Sequence, residues 1–163
     1  MEDQSYPRVK KFFFLFIFIL SFSKANSENF KFIKIANLNN PWGSSFLNND
    51  EMIITEKSGL IKIVNIINNQ VNDVEHNLNF LEDGQGGLLD ILHQENKVWI
   101  SYTENRGNRK TSTSIALANL DKKNLVFKNI FQANPPINSG YHFGSRLAIN
   151  CLLYTSPSPR DTA

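Results

Sequence analysis

The stretch MIITEKSGLIKIVNI, residues 52–66, consists of two runs rich in isoleucine and valine, separated by the turn pair Ser58-Gly59. β-Branched residues favour strands, and a glycine between two such runs permits a tight reversal of the chain. Neither run repeats its apolar residues at the period of about 3.6 residues that is typical of an amphipathic helix. The stretch therefore predicts two antiparallel strands joined by a turn.

Similar runs continue on both sides and form two groups of four predicted strands. The first group comprises Trp42 to Leu47, Met52 to Lys57, Leu60 to Ile66 and Val71 to His76. The second group comprises Gly87 to Leu92, Val98 to Thr103, Thr111 to Leu120 and Leu125 to Phe131, and a third group begins near Phe143. Among the aromatic residues, we expect Trp42 and Trp99 between sheets and Phe46, Phe80, Phe127 and Phe131 in the core.

The spacing of these groups favours one all-β fold over another. Gly43 and Gly87 open the two groups 44 positions apart, within the period of roughly 40 to 50 residues that is typical of four-stranded propeller blades. A β-sandwich also spaces its strands about 8 to 12 residues apart. The pattern therefore predicts an all-β fold and favours the propeller, with the sandwich as the alternative.

The first 27 residues have the pattern of a secretory signal peptide. Arg8, Lys10 and Lys11 precede the uncharged run Phe12 to Phe22, and Ser23-Lys24-Ala25 supplies small residues for cleavage after Ala25 or Ser27. The apolar run is about half the length of a membrane-spanning helix. A permanent anchor is therefore the less favoured alternative, and the predicted location is the periplasm or the outside of the cell.

The last thirteen residues, 151–163, resemble the translation of a sequencing-library adapter and are predicted to be non-native. A natural Ser/Pro-rich extension is the alternative. The single cysteine, Cys151, lies in this tail, so the predicted domain, residues 28–150, must be stable without disulfides.

That domain has 12 basic and 12 acidic residues, and this neutrality argues against a nucleic-acid partner.

Two polar segments between the predicted strands could bind a ligand or carry chemistry. Gly84, Gly86 and Gly87 permit close approach of the backbone to a ligand around Gln85, although the loop lacks the Lys-Ser/Thr of a phosphate-binding loop and could be a plain turn. His142 lies in the flexible segment 139–146, and histidine can accept a proton near neutral pH. A solvated histidine is the alternative reading.

Other site chemistries are less favoured by the spacing. Ser139, Ser145 and Asp90 could form a hydrolase triad with His142, but neither serine has a nucleophile-elbow glycine frame. The three histidines lack zinc-ligand spacing. Glu82, Asp83 and Asp90 do not match a calcium-binding EF-hand loop. The sequence therefore predicts no metal site between residues 28 and 150.

Five segments stand in an order that resembles one enzyme family. They are NPWG at 40–43, ITEKSG at 54–59, GQGGLLD at 84–90, VWISYT at 98–103 and HFGSRL at 142–147. Together they resemble the soluble quinoprotein glucose/sorbosone dehydrogenases, also called aldose sugar dehydrogenases. The resemblance implies a six-bladed β-propeller, of which residues 28–150 would be the N-terminal two and a half blades.

The resemblance also implies a mechanism. Pyrroloquinoline quinone would bind at the mouth of the channel beside a calcium ion, and hydride from an aldose sugar would pass to the quinone. His142 matches the base that removes the proton of the anomeric hydroxyl, and Gln85 matches a cofactor-binding glutamine near the reactive carbonyl. Tyr141 stands where some members carry an aspartate that orients the base. The calcium ligands and the basic residues for the quinone carboxylates would follow Asn150.

The implied partners are an aldose sugar and an electron acceptor, with no stable membrane span after signal cleavage. Two other functions remain open at this point. One is a non-catalytic periplasmic propeller that binds sugar or protein, because a fold does not fix a function. The other is a propeller lactonase, which is a hydrolase.

Overall fold

The computed structural model describes residues 30–149. The chain divides into two units, Met1–Ile33 and Lys34–Ala163, and the second contains all nine strands seen between residues 30 and 149. The strands are β1 (Pro41–Phe46), β2 (Glu51–Glu56), β3 (Ile61–Asn65), β4 (Val71–His76), β5 (Leu88–Gln94), β6 (Lys97–Asn105), β7 (Thr111–Asn119), β8 (Asn124–Leu125) and β9 (Lys128–Gln132). This part of the chain has strands and no helix, so the all-β prediction is confirmed.

The strands form two sheets, each of which runs through its neighbours in chain order. The first sheet has the order β1-β2-β3-β4-β8, and the second has the order β5-β6-β7-β9. Apart from β8, neighbouring strands pair antiparallel. Such up-and-down meanders are typical of propeller blades, whereas sandwiches commonly use Greek-key connections.

The first strands of the two sheets pack directly against each other. A Cβ atom added to Gly43 in β1 would lie 2.7 Å from the Cα of Asp90 and 2.8 Å from the backbone nitrogen of Ile91, both in β5. A side chain at position 43 would therefore separate the two backbones. Thr55 in β2 adds a further link, because its hydroxyl donates a hydrogen bond of 2.5 Å to the carbonyl oxygen of Leu89.

The hydrophobic core lies between the two sheets. Its members are buried aliphatic and aromatic side chains from both: Ile53, Ile61, Ile63, Val74, Leu88, Ile91, Val98, Ile100, Tyr102, Ala116, Ala118, Leu125 and Phe127. The inward residues alternate along β6, as expected for a strand with one face on the core. The position of the core shows that the two predicted groups fold against each other.

The predicted strand Leu125 to Phe131 is wrong in one respect, because it is two strands. Asn124–Leu125 pairs parallel with β4 of the first sheet, and Lys128–Gln132 pairs with β7 of the second. The cause is burial: Leu125 and Phe127 are 0% and 5% exposed and fill the core between the sheets. Asn77 fixes this crossing, because its side chain both donates to and accepts from the backbone of Phe127, at 3.1 and 2.8 Å.

Three further expectations differ from the structure. Trp42 was expected between the sheets, but it is 42% exposed. Phe46 and Phe131 were expected in the core, but they are 57% and 53% exposed. Phe131 lies in the edge strand β9, whose five residues are all exposed. The expected third group does not form a strand between Phe143 and residue 149. This segment instead lies along the second sheet through the contacts described below.

Between residues 30 and 149, the fold includes no helix of the length and apolarity needed to cross a membrane.

Candidate functional site

The glycine loop, residues 83–87, is held from two sides at the start of β5. On one side, the amide of Leu88 donates to the carbonyl oxygen of Lys57 at 3.2 Å, and the Lys57 ammonium group donates to the carbonyl oxygen of Gly84. On the other side, Thr103 in β6 accepts a hydrogen bond of 2.9 Å from Gly87 through its hydroxyl. Gly87 has a φ of 145° and Gly84 a φ of 53°. Glycine permits this path of the chain because L-residues rarely adopt such φ angles.

The segment that precedes His142 packs onto the glycine loop. The amide of Gln85 donates a hydrogen bond of 2.7 Å to the carbonyl oxygen of Gly140. Gly84 and Gly140 contact each other through their backbones, and a Cβ atom at position 140 would lie 3.2 Å from the Cα of Gly84. Small residues at both positions therefore allow two loops, more than fifty residues apart in sequence, to lie side by side.

Gln85 and His142, the two residues singled out by the sequence, are direct neighbours. The backbone N–H of His142 donates a hydrogen bond of 3.1 Å to Oε1 of Gln85. Because Oε1 is engaged, the Nε2 amide group is the part of Gln85 that remains available to donate to a ligand. The His142 side chain is exposed and its backbone has a φ of 66°. The two residues that the sequence predicts for the site therefore lie side by side.

The other two histidines have structural contacts. Nε2 of His76 lies 2.8 Å from the carbonyl oxygen of Gly59, and its Nδ1 accepts a hydrogen bond from the amide of Leu78 at 3.2 Å. Nδ1 of His93 lies 3.1 Å from the carbonyl oxygen of Phe46, and its Nε2 is buried without a partner. Among the residues that the structure describes, His142 is thus the histidine whose ring is exposed and makes no hydrogen bond.

Sequence reasoning missed a second anchor, on the C-terminal side of His142. Asp90 in β5 is 5% exposed, and its carboxylate accepts hydrogen bonds from Arg146 at 3.2 Å and from the backbone amide of Leu147 at 2.8 Å. Ser101 in β6 donates to the carbonyl oxygen of Ser145 at 2.5 Å. Residues 145–147 are therefore fixed to the second sheet by side chains that no local pattern connects to them.

The contacts of Asp90 also bear on the hydrolase triad. Its carboxylate bonds Arg146 and Leu147 rather than His142. The hydroxyl of Ser139 accepts a hydrogen bond from the amide of Tyr141 at 3.2 Å. Within residues 30–149 neither group orients the imidazole, so the arrangement does not support a Ser-His-Asp triad.

The position before the histidine supplies an aromatic ring. Tyr141 is 60% exposed, and its ring centroid lies 6.5 Å from that of His142, with the two ring planes tilted by 54°. A phenol at this distance does not replace a carboxylate that bonds the imidazole.

No group of three or more His, Cys, Asp or Glu side chains that could hold a metal occurs in the part of the chain described.

Comparison with known proteins gives one consistent result. Residues 38–159 match the family model for glucose/sorbosone dehydrogenase. Over 122 residues the chain is 29% identical to the aldose sugar dehydrogenase YliI of Escherichia coli, a match that covers 69% of this chain and 33% of the relative. The chain therefore spans about a third of the length of this curated relative.

Solved structures show the same likeness in three dimensions. The crystal structure of the soluble aldose sugar dehydrogenase from E. coli, in its apo form, has a TM-score of 0.64 and 27% identity, with 69% of this chain and 35% of that chain covered. The PQQ-bound form of an aldose sugar dehydrogenase from Streptomyces coelicolor has a TM-score of 0.53 and 19% identity, with 61% and 32% covered. At that identity the second likeness shows the fold alone.

Proposed function

The chain belongs to the glucose/sorbosone dehydrogenase family, and from this premise we propose that it is the N-terminal part of a quinoprotein that oxidises the anomeric hydroxyl of aldose sugars. The observation that supports this most directly is the pairing of His142 with Gln85 on an exposed loop cluster. The site combines a free imidazole with a neighbouring amide donor. These are the groups that removal of a hydroxyl proton beside a carbonyl-bearing cofactor requires.

In this proposal His142 is the general base. Its ring is exposed and makes no hydrogen bond within residues 30–149, so either nitrogen could meet a sugar hydroxyl. An alcohol carbon releases a hydride readily only as its hydroxyl loses a proton, and positioned base catalysis contributes typically ~10² to 10⁴-fold. His142 would take the anomeric hydroxyl proton, and the sugar would leave as its lactone.

Pyrroloquinoline quinone is the proposed cofactor, and it supplies a two-electron acceptor for the hydride of the anomeric carbon. The family relative from S. coelicolor is known in its PQQ-bound form. Gln85 fits a quinone: its Oε1 is engaged by His142, which leaves Nε2 to donate to a carbonyl oxygen. Gln85 would thus hold the cofactor and brace the loop that carries the base.

The remaining parts of the proposal lie outside residues 30–149. We propose that the ligands of a calcium ion and the basic residues for the quinone carboxylates follow Asn150. We likewise propose that the whole protein passes its electrons to a natural electron acceptor. We further propose that residues 1–27 direct export to the periplasm or the exterior and that residues 151–163 are not native.

The test uses the full-length protein, reconstituted with calcium and pyrroloquinoline quinone. It should oxidise one or more aldoses with an artificial electron acceptor, and omission of the quinone should abolish turnover. A protein that binds aldoses but neither binds the quinone nor oxidises any sugar would contradict the proposal and support a non-catalytic sugar-binding propeller. Release of acid from a lactone without any acceptor would support a lactonase instead.

A further inference from the structure

The carboxylate of Asp90 is an unusual group to find in the second sheet. The residue lies in β5 between buried neighbours, and its side chain is 7% exposed. Burial of a carboxylate is strongly unfavourable unless the charge is paired and hydrogen-bonded. Both oxygens of Asp90 have such partners, Arg146 on Oδ1 and the amide of Leu147 on Oδ2. The only described partners of this carboxylate therefore belong to the segment that follows His142.

The two bonds differ in what they contribute. The Arg146 side chain is 79% exposed, so its ion pair with Asp90 is partly screened by solvent. The bond from the Leu147 amide joins a backbone N–H to a buried charged acceptor, and charge-assisted hydrogen bonds of this kind are short and strong. Its length of 2.8 Å agrees with that. Asp90 thus fixes the backbone at position 147 and the side chain at position 146.

Ser101 extends the same anchor to the neighbouring strand. Its hydroxyl accepts a hydrogen bond from the amide of Asp90 at 3.0 Å and donates one to the carbonyl oxygen of Ser145. On the other side of His142, Gln85 bonds the backbone of Gly140 and of His142 itself. The base is therefore placed between two fixed points, with Phe143 and Gly144 between it and the Asp90 anchor.

We propose that Asp90 is a positioning residue for His142, acting through Arg146 and Leu147; this rests on the proposed role of His142 as the base. The φ of 66° at His142 lies in the left-handed region, which is less favourable for a residue with a side chain than for glycine. Hydrogen bonds to Gln85 and to Asp90 hold the backbone on the two sides of this residue. The backbone segment that carries the exposed imidazole is thereby held in place.

Asp90→Asn in the full-length holoenzyme is the first variant. Asparagine keeps the size and one acceptor oxygen but removes the charge that binds Arg146. Because a displacement of about 1 Å at a reacting group can lower a rate by ~10²-fold, kcat should fall by roughly 10- to 100-fold. The dissociation constant of the quinone should change by no more than about 2-fold. Asp73→Asn is the matched control, since Asp73 pairs with Lys62 in the first sheet and is 69% exposed.

The double variant Asp90→Asn with His142→Gln separates a positioning role from a general structural one. If Asp90 acts through His142, the double variant should be no slower than His142→Gln alone, because the two effects are not additive for residues that act as a unit. Losses that multiply would overturn the proposal. A merely structural carboxylate would affect both backgrounds equally.

Hydrogen exchange of the protein without sugar gives a readout that does not depend on activity. In Asp90→Asn, exchange should become faster in a peptide that covers residues 142–147 and stay unchanged in peptides from β2 and β7. Unchanged exchange at 142–147, or equal acceleration throughout the second sheet, would overturn the proposal. If His142→Gln keeps full turnover, the proposed function fails, while exchange still decides whether Asp90 holds the segment.

Arg146→Gln covers the case in which Asp90→Asn does not fold. The side chain of Arg146 is mostly exposed, and the bond between Asp90 and the Leu147 amide is left in place. The variant should show the same local acceleration of exchange and the same direction of change in kcat, with smaller amplitude. Parental exchange and parental kcat in Arg146→Gln would show that the ion pair does not position His142.

Discussion

Oε1 of Gln85 accepts a hydrogen bond of 3.1 Å from the backbone N–H of His142, 57 positions later in the chain. This bond fixes the orientation of the Gln85 amide, because a donor already occupies the oxygen. The glutamine therefore bonds the loop through its oxygen, and in the proposed function its nitrogen would donate to the quinone. Under this proposal the two ends of the amide group have different roles, which can be tested by different substitutions.

Gln85→Glu and Gln85→Ala should differ. Glutamate keeps an oxygen for the amide of His142 but cannot donate to a quinone carbonyl, and it places a negative charge beside the cofactor. Alanine removes both roles without adding charge. We expect Gln85→Glu to weaken quinone binding more than Gln85→Ala, and Gln85→Ala to lower kcat less than replacement of His142. Titration of the apoprotein with quinone and steady-state kinetics measure both. Parental quinone affinity in both variants would contradict the donor role of Nε2, because neither glutamate nor alanine can replace that donor.

The backbone of the glycine loop should tolerate no side chain at position 87. Gly87 has a φ of 145°, and an added Cβ would collide with the carbonyl oxygen of Lys57. We expect Gly87→Ala to lower the free energy of unfolding by about 1–3 kcal/mol from backbone strain alone. Gly144→Ala is the control, because nothing lies within 4 Å of its added Cβ and its φ is outside the left-handed region. Chemical denaturation of the full-length variants measures the difference, and equal stability would refute the strain.

Tyr102 should make stability depend on alkaline pH. Burial raises the pKa of its phenol above the ordinary value of 10.0. The folded state therefore holds this proton more tightly than the unfolded state. The resulting stabilisation is present below pH 10 and is lost as the pH rises through the pKa of the folded protein.

Tyr102→Phe removes this titration and one hydrogen bond of 2.7 Å to Asn129. Near neutral pH the variant should be less stable by about 1 kcal/mol, the usual net contribution of a hydrogen bond. Above pH 10 the difference from the parent should shrink. Thermal unfolding across this range checks it, and a difference that grows with pH would contradict the burial argument.

Export should remove the N-terminal leader. If residues 1–27 are a signal peptide, the mature protein begins at Asn26 or Glu28, because small residues precede both positions. N-terminal sequencing of protein recovered from a Gram-negative periplasm tests this. Intact Met1 on protein recovered from the cytosol would show that the leader is not cleaved.

Local patterns were sufficient to predict most of the fold. The runs rich in isoleucine and valine in Met52 to Lys57 and Leu60 to Ile66 are local features of the sequence, and both strands formed with the turn between them. The crossing at Asn124–Leu125 could not be read in this way. It depends on Asn77, fifty positions before Phe127, and on the core between the two sheets, which exists only once both have folded.

In the candidate site too, some residues could be predicted from local sequence, and others depend on contacts between distant residues. Gln85 and His142 were found because each lies in a segment that resembles the family, and the structure places them together. Asp90 was considered only as a triad member or a calcium ligand. Its bonds to Arg146 and Leu147 span 56 and 57 positions, and no periodicity or spacing connects residues so far apart.

The central claim is that His142 is the base of a quinone-dependent sugar oxidation, and the most direct measurement is kcat of His142→Gln in the reconstituted full-length protein. Glutamine can form hydrogen bonds but cannot accept the proton, so kcat should fall by ~10² to 10⁴-fold with quinone binding largely retained. His76→Gln is the control: it can lower stability through its bonds to Gly59 and Leu78, but kcat should stay near the parental value. Near-parental turnover of His142→Gln with the quinone bound would contradict the account.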